Sequence, residues 1–247
     1  MLSRVDISPL RRIVVVLDGF MMDCTNLMRI DLTPLSNVTT IGNSFLNGCE
    51  QLFSVNLSPL QNVTQIGNAF MMKCTGVSTI DLSGLRNVTR LGTSFMREMT
   101  SLIRIDLTPL SQLTDIPSSF LMGCTTLESA NCVALRNITT IGSFFMASCE
   151  NMSVLDLTAM GGVTWIADRV LFNTPNLKTV DISAFRNVTR VGVRLLGFGE
   201  NGGASSSLSS FERVVYIGNL PANAPIILAL PSDVKTAKDN DDGCVVQ

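Results

Sequence analysis

Histidine is absent from all 247 residues, and tryptophan and tyrosine occur once each. Without an imidazole the chain lacks the usual general acid–base group near neutral pH and the commonest metal ligand. No serine sits in a nucleophile elbow, no phosphate loop is present, and no Cys-x-x-Cys pair exists to build a zinc site. No cofactor, metal or catalytic residue is therefore expected. Charge is sparse as well: 18 Lys and Arg against 20 Asp and Glu leave a formal net charge of −2. No run of Lys or Arg forms the basic stripe that phosphate binding requires, which argues against nucleic acid as a partner. Long apolar runs are also missing. Residues 13–17 and 226–230 are the longest, far below the roughly 18 that span a bilayer. The opening Met1-Leu2-Ser3-Arg4-Val5-Asp6 does not read as a secretory signal, so a cytosolic chain is expected unless it is a fragment of a longer protein.

What the chain has is repetition. Val-Asp-Ile-Ser-Pro-Leu at residues 5–10 returns at 30–35, 55–60, 80–85, 105–110, 130–135, 155–160 and 180–185, always 25 residues on. Starting from the Asp, one coil reads Asp-Leu-Ser/Thr-Pro-Leu-x-Asn-Val-Thr-x-Ile-Gly-x-Ser-Phe-Met-x-x-Cys-x-x-Leu-x-x-Ile. A single coil cannot bury its apolar side chains, so equivalent positions must stack along an axis into ladders. Phe20, Phe45, Phe70, Phe95, Phe120 and Phe145 form one ladder, and Val16, Ile41, Ile66, Leu91, Ile116, Ile141, Ile166 and Val191 another.

The alternation Leu-x-x-Ile-Asp-Leu predicts a short strand with Ile and Leu inward and Asp outward, and Val-Thr-x-Ile-Gly predicts a second strand on another side. Ser or Thr followed by Pro predicts an N-cap and first helical position of a brief helical turn. A second such turn would carry Phe-Met-x-x-Cys. The expected fold is a repeat solenoid of leucine-rich-repeat type. Parallel β-strands stack coil on coil with short helical turns, in one right-handed superhelical domain of about eight coils over residues 1–198.

At these residues the chain resembles the BspA-type leucine-rich repeat family, in a 25-residue variant. The family's Cys-x-x-Leu-x-x-Ile-x-Leu-Pro, Leu-x-x-Ile-Gly and Phe-x-x-Cys stand here as Cys49, Leu52, Val55, Leu57 and Pro59, then Val63, Ile66 and Gly67, then Phe70 and Cys74. Each coil has two residues more than the usual pattern after the Leu, which implies a wider bend there. The resemblance implies an adhesion or protein-interaction module, typically surface-associated.

After Phe198 the repeat loosens, and residues 199–235 read as a degenerate last coil and C-terminal cap. Within the cap, residues 226–230 suggest a covering strand and residues 231–235 a short capped helix. Residues 236–247 read as a flexible tail ending in Cys244-Val245-Val246-Gln247, which matches a C-a-a-X box and makes Cys244 a candidate for prenylation and association with the inner face of a membrane. At the front, Arg11-Arg12-Ile13-Val14-Val15-Val16 breaks the consensus and suggests an edge open to self-association.

The remaining columns have bland and functional readings. Cys24, Cys49, Cys74, Cys124 and Cys149 share a position filled elsewhere by Met99 and Thr174, which marks it as packing. Cys132 and the Met column at Met21, Met71, Met96 and Met146 read as core in the same way. Asn37, Asn62, Asn87, Asn137 and Asn187 lie in glycosylation sequons, as do Asn56 and Asn151, yet glycans about 5 Å apart cannot all fit on one column, so amide ladders satisfying the turn are expected. Asp6, Asp31, Asp81, Asp106, Asp156 and Asp181 form an outward column, with Arg4, Arg29 and Arg104 two positions earlier to offset their repulsion. Arg29, Asp31, Asp81, Arg104, Asp106, Asp156 and Asp181 make the candidate face for a protein or peptide ligand carrying Lys or Arg. The competing reading has each Asp bonding its own turn. A non-enzymatic protein-interaction scaffold follows, with a surface adhesin or a self-assembling array as alternatives.

Overall fold

The computed structural model describes residues 4–197, together with the backbone of 214–216, 225–228, 235–238 and 245–246. The Gly- and Ser-rich stretch from 199 to 207 and the candidate Cys244 lie outside the described residues.

Short strands recur with the repeat. On one side run Val15–Val16, Thr40–Ile41, Gln65–Ile66, Arg90–Leu91, Asp115–Ile116, Thr140–Ile141, Trp165–Ile166 and Arg190–Val191. Within this side the paired strands are parallel, with each residue opposite the one 25 places on, as in Val15 against Thr40 and Ile141 against Ile166. From the first of these strands to the last, 190 − 15 = 175 residues make seven turns of 25. The other side carries Arg29–Ile30, Ser54–Val55, Arg104–Asp106, Ser129–Asn131, Val154–Asp156 and Thr179–Asp181. Ile30, Leu32, Ile105 and Leu107 point inward and are buried, while Asp31 and Asp106 point outward, as the period-2 pattern requires.

The first sheet is not continuous, because Arg90–Leu91 and Asp115–Ile116 belong to separate four-stranded pieces. Pro117 accounts for this. At the equivalent position Gly42, Gly67, Gly92 and Gly142 each donate a backbone N–H to the preceding coil, to Val16, Ile41, Ile66 and Ile116 respectively. Pro117 has no N–H to give Leu91, so the ladder breaks there.

Inside, the six phenylalanines stack as one column. Successive ring centroids lie 5.2, 5.3, 5.4, 5.1 and 6.0 Å apart. Met71, Met96 and Met146 are buried beside them, and Met21 is partly buried in the first coil. Cys49, Cys74, Cys124 and Cys149 are free and buried, and each thiol donates to the carbonyl 28 residues earlier at 3.1–3.3 Å.

Two local expectations need correction. The Ser/Thr-Pro-Leu triplets do form 3-10 turns, such as Thr33–Leu35 and Ser58–Leu60, but the Ser or Thr lies inside the turn and the preceding leucine is the N-cap. A leucine has no capping oxygen, so the Asp or Asn one residue earlier supplies it. The Phe-Met-x-x-Cys segment is not helical. It is a turn in which alternate residues take left-handed φ, as at Ala69 (57°), Met71 (51°) and Lys73 (59°), and the pattern recurs through Arg194 and Leu196. Left-handed φ costs a non-glycine residue about 1–2 kcal/mol. Here it aims backbone groups both ways along the stack: Ala69 donates forward to Thr93, Met71 back to Phe45 and Lys73 forward to Arg97, at 2.8 Å each.

The C-terminal unit reverses the expected order of strand and helix. Pro225–Leu228 is helical and Lys235–Lys238 is a strand. Pro225 stands first in its helix, where the missing N–H costs nothing and φ is already set. Val214–Tyr216 extends the second sheet from Thr179–Asp181. Lys235–Lys238 pairs with it, and Val245–Val246 adds an antiparallel edge within the stretch where a flexible tail is expected.

Candidate partner-binding face

The outward column on the second side begins with what the turn needs. In each coil the side chain at the Asp position accepts the backbone N–H two residues on: Asp6 from Ser8, Asp31 from Thr33, Asn56 from Ser58, Asp81 from Ser83, Asp106 from Thr108, Asn131 from Val133, Asp156 from Thr158 and Asp181 from Ser183, at 2.8–3.2 Å. Asp81 and Asp106 also accept the hydroxyls of Ser83 and Thr108 on their second oxygen, both at 2.9 Å. At Asp31 and Asp6 such bonds favour the charged form. The side-chain and backbone donors of Thr33 lower the pKa of Asp31, and the backbone and side-chain donors of Ser8 lower that of Asp6. Asn131 interrupts the acidic column and donates its amide to Asp106 at 3.0 Å, replacing carboxylate repulsion with a bond between coils.

Arg29 and Arg104 make their closest contacts outside the Asp column. Arg29 lies over the ring of Phe53 in the next coil, 4.6 Å from its centroid, and Arg104 reaches Glu128 at 3.5 Å. The Arg104–Glu128 pair is solvent-exposed and contributes little to stability. Asp156 and Asp181 come into direct register on neighbouring strands, as do Arg29 and Ser54, and Arg104 and Ser129.

Beside these residues is a column that the repeat consensus hides. Met28, Phe53 and Ile103 are 45%, 44% and 41% exposed at the position that other coils fill with Ser78, Glu128, Ser153 and Lys178. Its sequence signal is the presence of large apolar residues at a variable, water-facing position. On the first side, the Asn column is structural. Asn37, Asn62, Asn87, Asn137 and Asn187 donate their side-chain amides to the carbonyls of Arg11, Ser36, Gln61, Ser111 and Gly161 in the coil before, at 2.8–3.0 Å. The amide ladder expected from the sequence is thus formed. A second polar ladder is not marked by the consensus: Asp18 takes the N–H of Asn43, Asn43 that of Asn68, and Asn68 that of Thr93, at 2.7–2.8 Å. A shallow hollow on this side is lined by Ser143, Trp165, Asp168 and Arg190, with Arg190 4.8 Å above the indole.

A coil of fixed length, a buried Phe column and an outward strand face agree with the family model for the BspA type leucine rich repeat region, which matches residues 16–153 and 86–196 in 6 copies. The chain belongs to the BspA-type leucine-rich repeat family. Solved structures of bacterial leucine-rich repeat proteins are similar to it in fold. The T. pallidum leucine-rich repeat protein TpLRR is 16% identical, with 73% of this chain and 67% of that one aligned and a TM-score of 0.38. The functional domain of InlJ from Listeria monocytogenes, described as including a cysteine ladder, is 16% identical over 98% of this chain and 60% of that one, with a TM-score of 0.44. A leucine-rich cell surface protein from Faecalibacterium prausnitzii is 14% identical over 73% and 61%, with a TM-score of 0.45. The chain therefore spans about three fifths to two thirds of these relatives' lengths. No curated protein matches it.

Proposed function

We propose that this BspA-type repeat array is a non-enzymatic protein-binding scaffold whose ligand docks on the outward face of the second side. The observation that carries this reading is the exposed column of Met28, Phe53 and Ile103, flanked by Arg29 and Arg104. Large apolar side chains exposed just before the second-side strands, with only Ser78 between Phe53 and Ile103, gain nothing from water, and aromatic and arginine anchors are what protein interfaces use at their centres. Arg29, Asp31, Asp81, Arg104, Asp106, Asp156 and Asp181 border this column and set the polar rim. Asp81 and Asp106 have both oxygens occupied by their own turns, so the apolar column anchors and the acidic residues orient a ligand carrying Lys or Arg. Crosslinked capture should recover a partner with the wild-type chain and with Trp165→Ala, and lose it with Phe53→Ser combined with Ile103→Ser. Undiminished capture by that double variant would remove the face from consideration.

For compartment, the proposal is the cytosol, with tethering to the inner face of a membrane through prenylated Cys244. The free thiols and the engagement of the ladder Asn amides in hydrogen bonds favour the cytosol, while the tether rests on the C-a-a-X match of residues 244–247 alone. Labelling with a farnesyl analogue should mark the wild type and not Cys244→Ser. An unlabelled wild type, or an upstream reading frame encoding a secretory signal, would favour display at the cell surface instead.

A further inference from the structure

The polar ladder at the corner between the first side and the left-handed turn is spent on itself in the early coils and not in the later ones. Asp18 gives one carboxylate oxygen to the backbone N–H of Asn43 and the other to its side-chain amide. Asn43 Oδ1 takes the N–H of Asn68, and Asn68 Oδ1 takes both the N–H and the hydroxyl of Thr93. Asp168 stands at the same position as Asp18, since 168 − 18 = 150 is six repeats of 25, but the residue that follows it in the ladder is Val193. Valine has only its backbone N–H to offer, and Asp168 Oδ1 accepts it at 2.9 Å. Among the described residues nothing bonds to Asp168 Oδ2 or to the Ser143 hydroxyl.

The strand beside this corner changes at the same place. Its outward position is Thr40, Gln65 and Thr140 in other coils, and here it is Trp165 followed by Arg190. The indole is 39% exposed, with the Arg190 guanidinium 4.8 Å over it. Arg190 has no carboxylate within salt-bridge reach among the described residues. The hollow lined by both columns measures about 260 Å³, and Ala167 and Gly192 are its smallest lining residues. Gly192 keeps it open, because a Cβ there would meet the Asp168 carboxylate and the backbone of Ala167.

We propose that this hollow binds one ring of a neutral saccharide. The C–H face of a sugar ring covers the apolar indole while its hydroxyls reach the polar rim. Two neighbouring hydroxyls can donate to Asp168 Oδ2 and accept from Arg190, and the Ser143 hydroxyl can do either. Charge decides against ions. An anion drawn to Arg190 meets Asp168, and a cation drawn to Asp168 meets Arg190. A zwitterion would satisfy both charges, but exposed ion pairs contribute little, so the contact with the indole has to carry the binding. Size decides against larger ligands, since drug-sized molecules occupy roughly 300–1,000 Å³. One ring in an open hollow gives weak binding, with a Kd of about 1 mM.

Trp165 is the one tryptophan of the chain and reports on the site directly. Titration of the full chain with the methyl glycosides of glucose, galactose, mannose and N-acetylglucosamine, up to about 50 mM, should change its fluorescence in a saturable way for at least one of them. Asp168→Asn keeps the oxygen that Val193 needs and exchanges the free one for a donor, and Trp165→Leu removes the ring. Each should raise the Kd read by ligand-observed NMR by roughly tenfold or more at unchanged circular dichroism. Phe53→Ser combined with Ile103→Ser should bind the glycoside as the wild type does, so that failure of this hollow and failure of the proposed partner face are read separately. A wild type that binds none of the four glycosides, an unchanged Kd in Asp168→Asn or Trp165→Leu, or tighter binding of acetate, methylammonium or phenylalanine than of any glycoside would each overturn the proposal.

Discussion

Truncating Phe95 to alanine is expected to lower the unfolding free energy by about 3–5 kcal/mol. Its ring is buried between those of Phe70 and Phe120, 5.4 and 5.1 Å away. Each stacked pair adds about 0.5–1.5 kcal/mol beyond the area it buries. Position sharpens the effect. The strands Arg90–Leu91 and Asp115–Ile116 are not hydrogen-bonded to one another, so between these two coils the first-side sheet gives no support and the Phe column shares the interface with the second-side pairing of Arg104–Asp106 and Ser129–Asn131. In a stack where each coil contacts only its neighbours, a weakened interface uncouples the two halves. Denaturant unfolding of Phe95→Ala should accordingly become broader or two-step, while Phe20→Ala loses less and stays cooperative. Phe20 is only partly buried and has one stacking neighbour, Phe45 at 5.2 Å. Equal losses at the two positions would mean that the column does not hold the stack together.

The ladders were legible because chemical identity repeats wherever burial repeats. Phe, Ile, Leu and Cys positions recur every 25 residues, and every one tested by the structure lies on the core. The Asn column was legible for the same reason. The left-handed turn was not: Met71, Leu121 and Phe144 are ordinary residues with no preference for φ near 50–60°, and only the coil-to-coil hydrogen bonds make that backbone favourable. The break at Pro117 was written in the sequence as a proline where glycine recurs, but its meaning depends on knowing that this N–H points to the neighbouring coil. Contacts across coils at different positions were illegible too. Arg29 meets Phe53 and not an Asp because side chains reach sideways along the sheet, a direction the repeat period does not encode. Past Phe198 periodicity stops, and with it the basis for ordering helix and strand in the C-terminal unit.

The cysteine ladder predicts a steep loss of stability in alkali. Burial pushes the Cys49 thiol up to about 11, Cys124 and Cys132 up to about 12, and Cys74 and Cys149 well above the ordinary range. In the unfolded chain the same thiols ionise near about 8.5. Above that pH the unfolded state releases protons that the folded state keeps, so each thiol withdraws up to about 1.4 kcal/mol of stability per pH unit until its folded value is reached. Five thiols acting together withdraw up to about 7 kcal/mol per unit, comparable with the whole stability of an ordinary domain. The denaturation midpoint should be level from about pH 6 to 8 and fall sharply from about pH 9 to 10.5. Other groups also titrate in alkali, so the decisive comparison is with Cys124→Met, since methionine already occupies that ladder position at Met99. The substitution should reduce the alkaline slope by about 1.4 kcal/mol per unit, and the remaining buried thiols should resist alkylation until the chain unfolds. An unchanged slope in the variant, or rapid alkylation of Cys74 and Cys149 in the native chain, would place the thiols in water and break the ladder account.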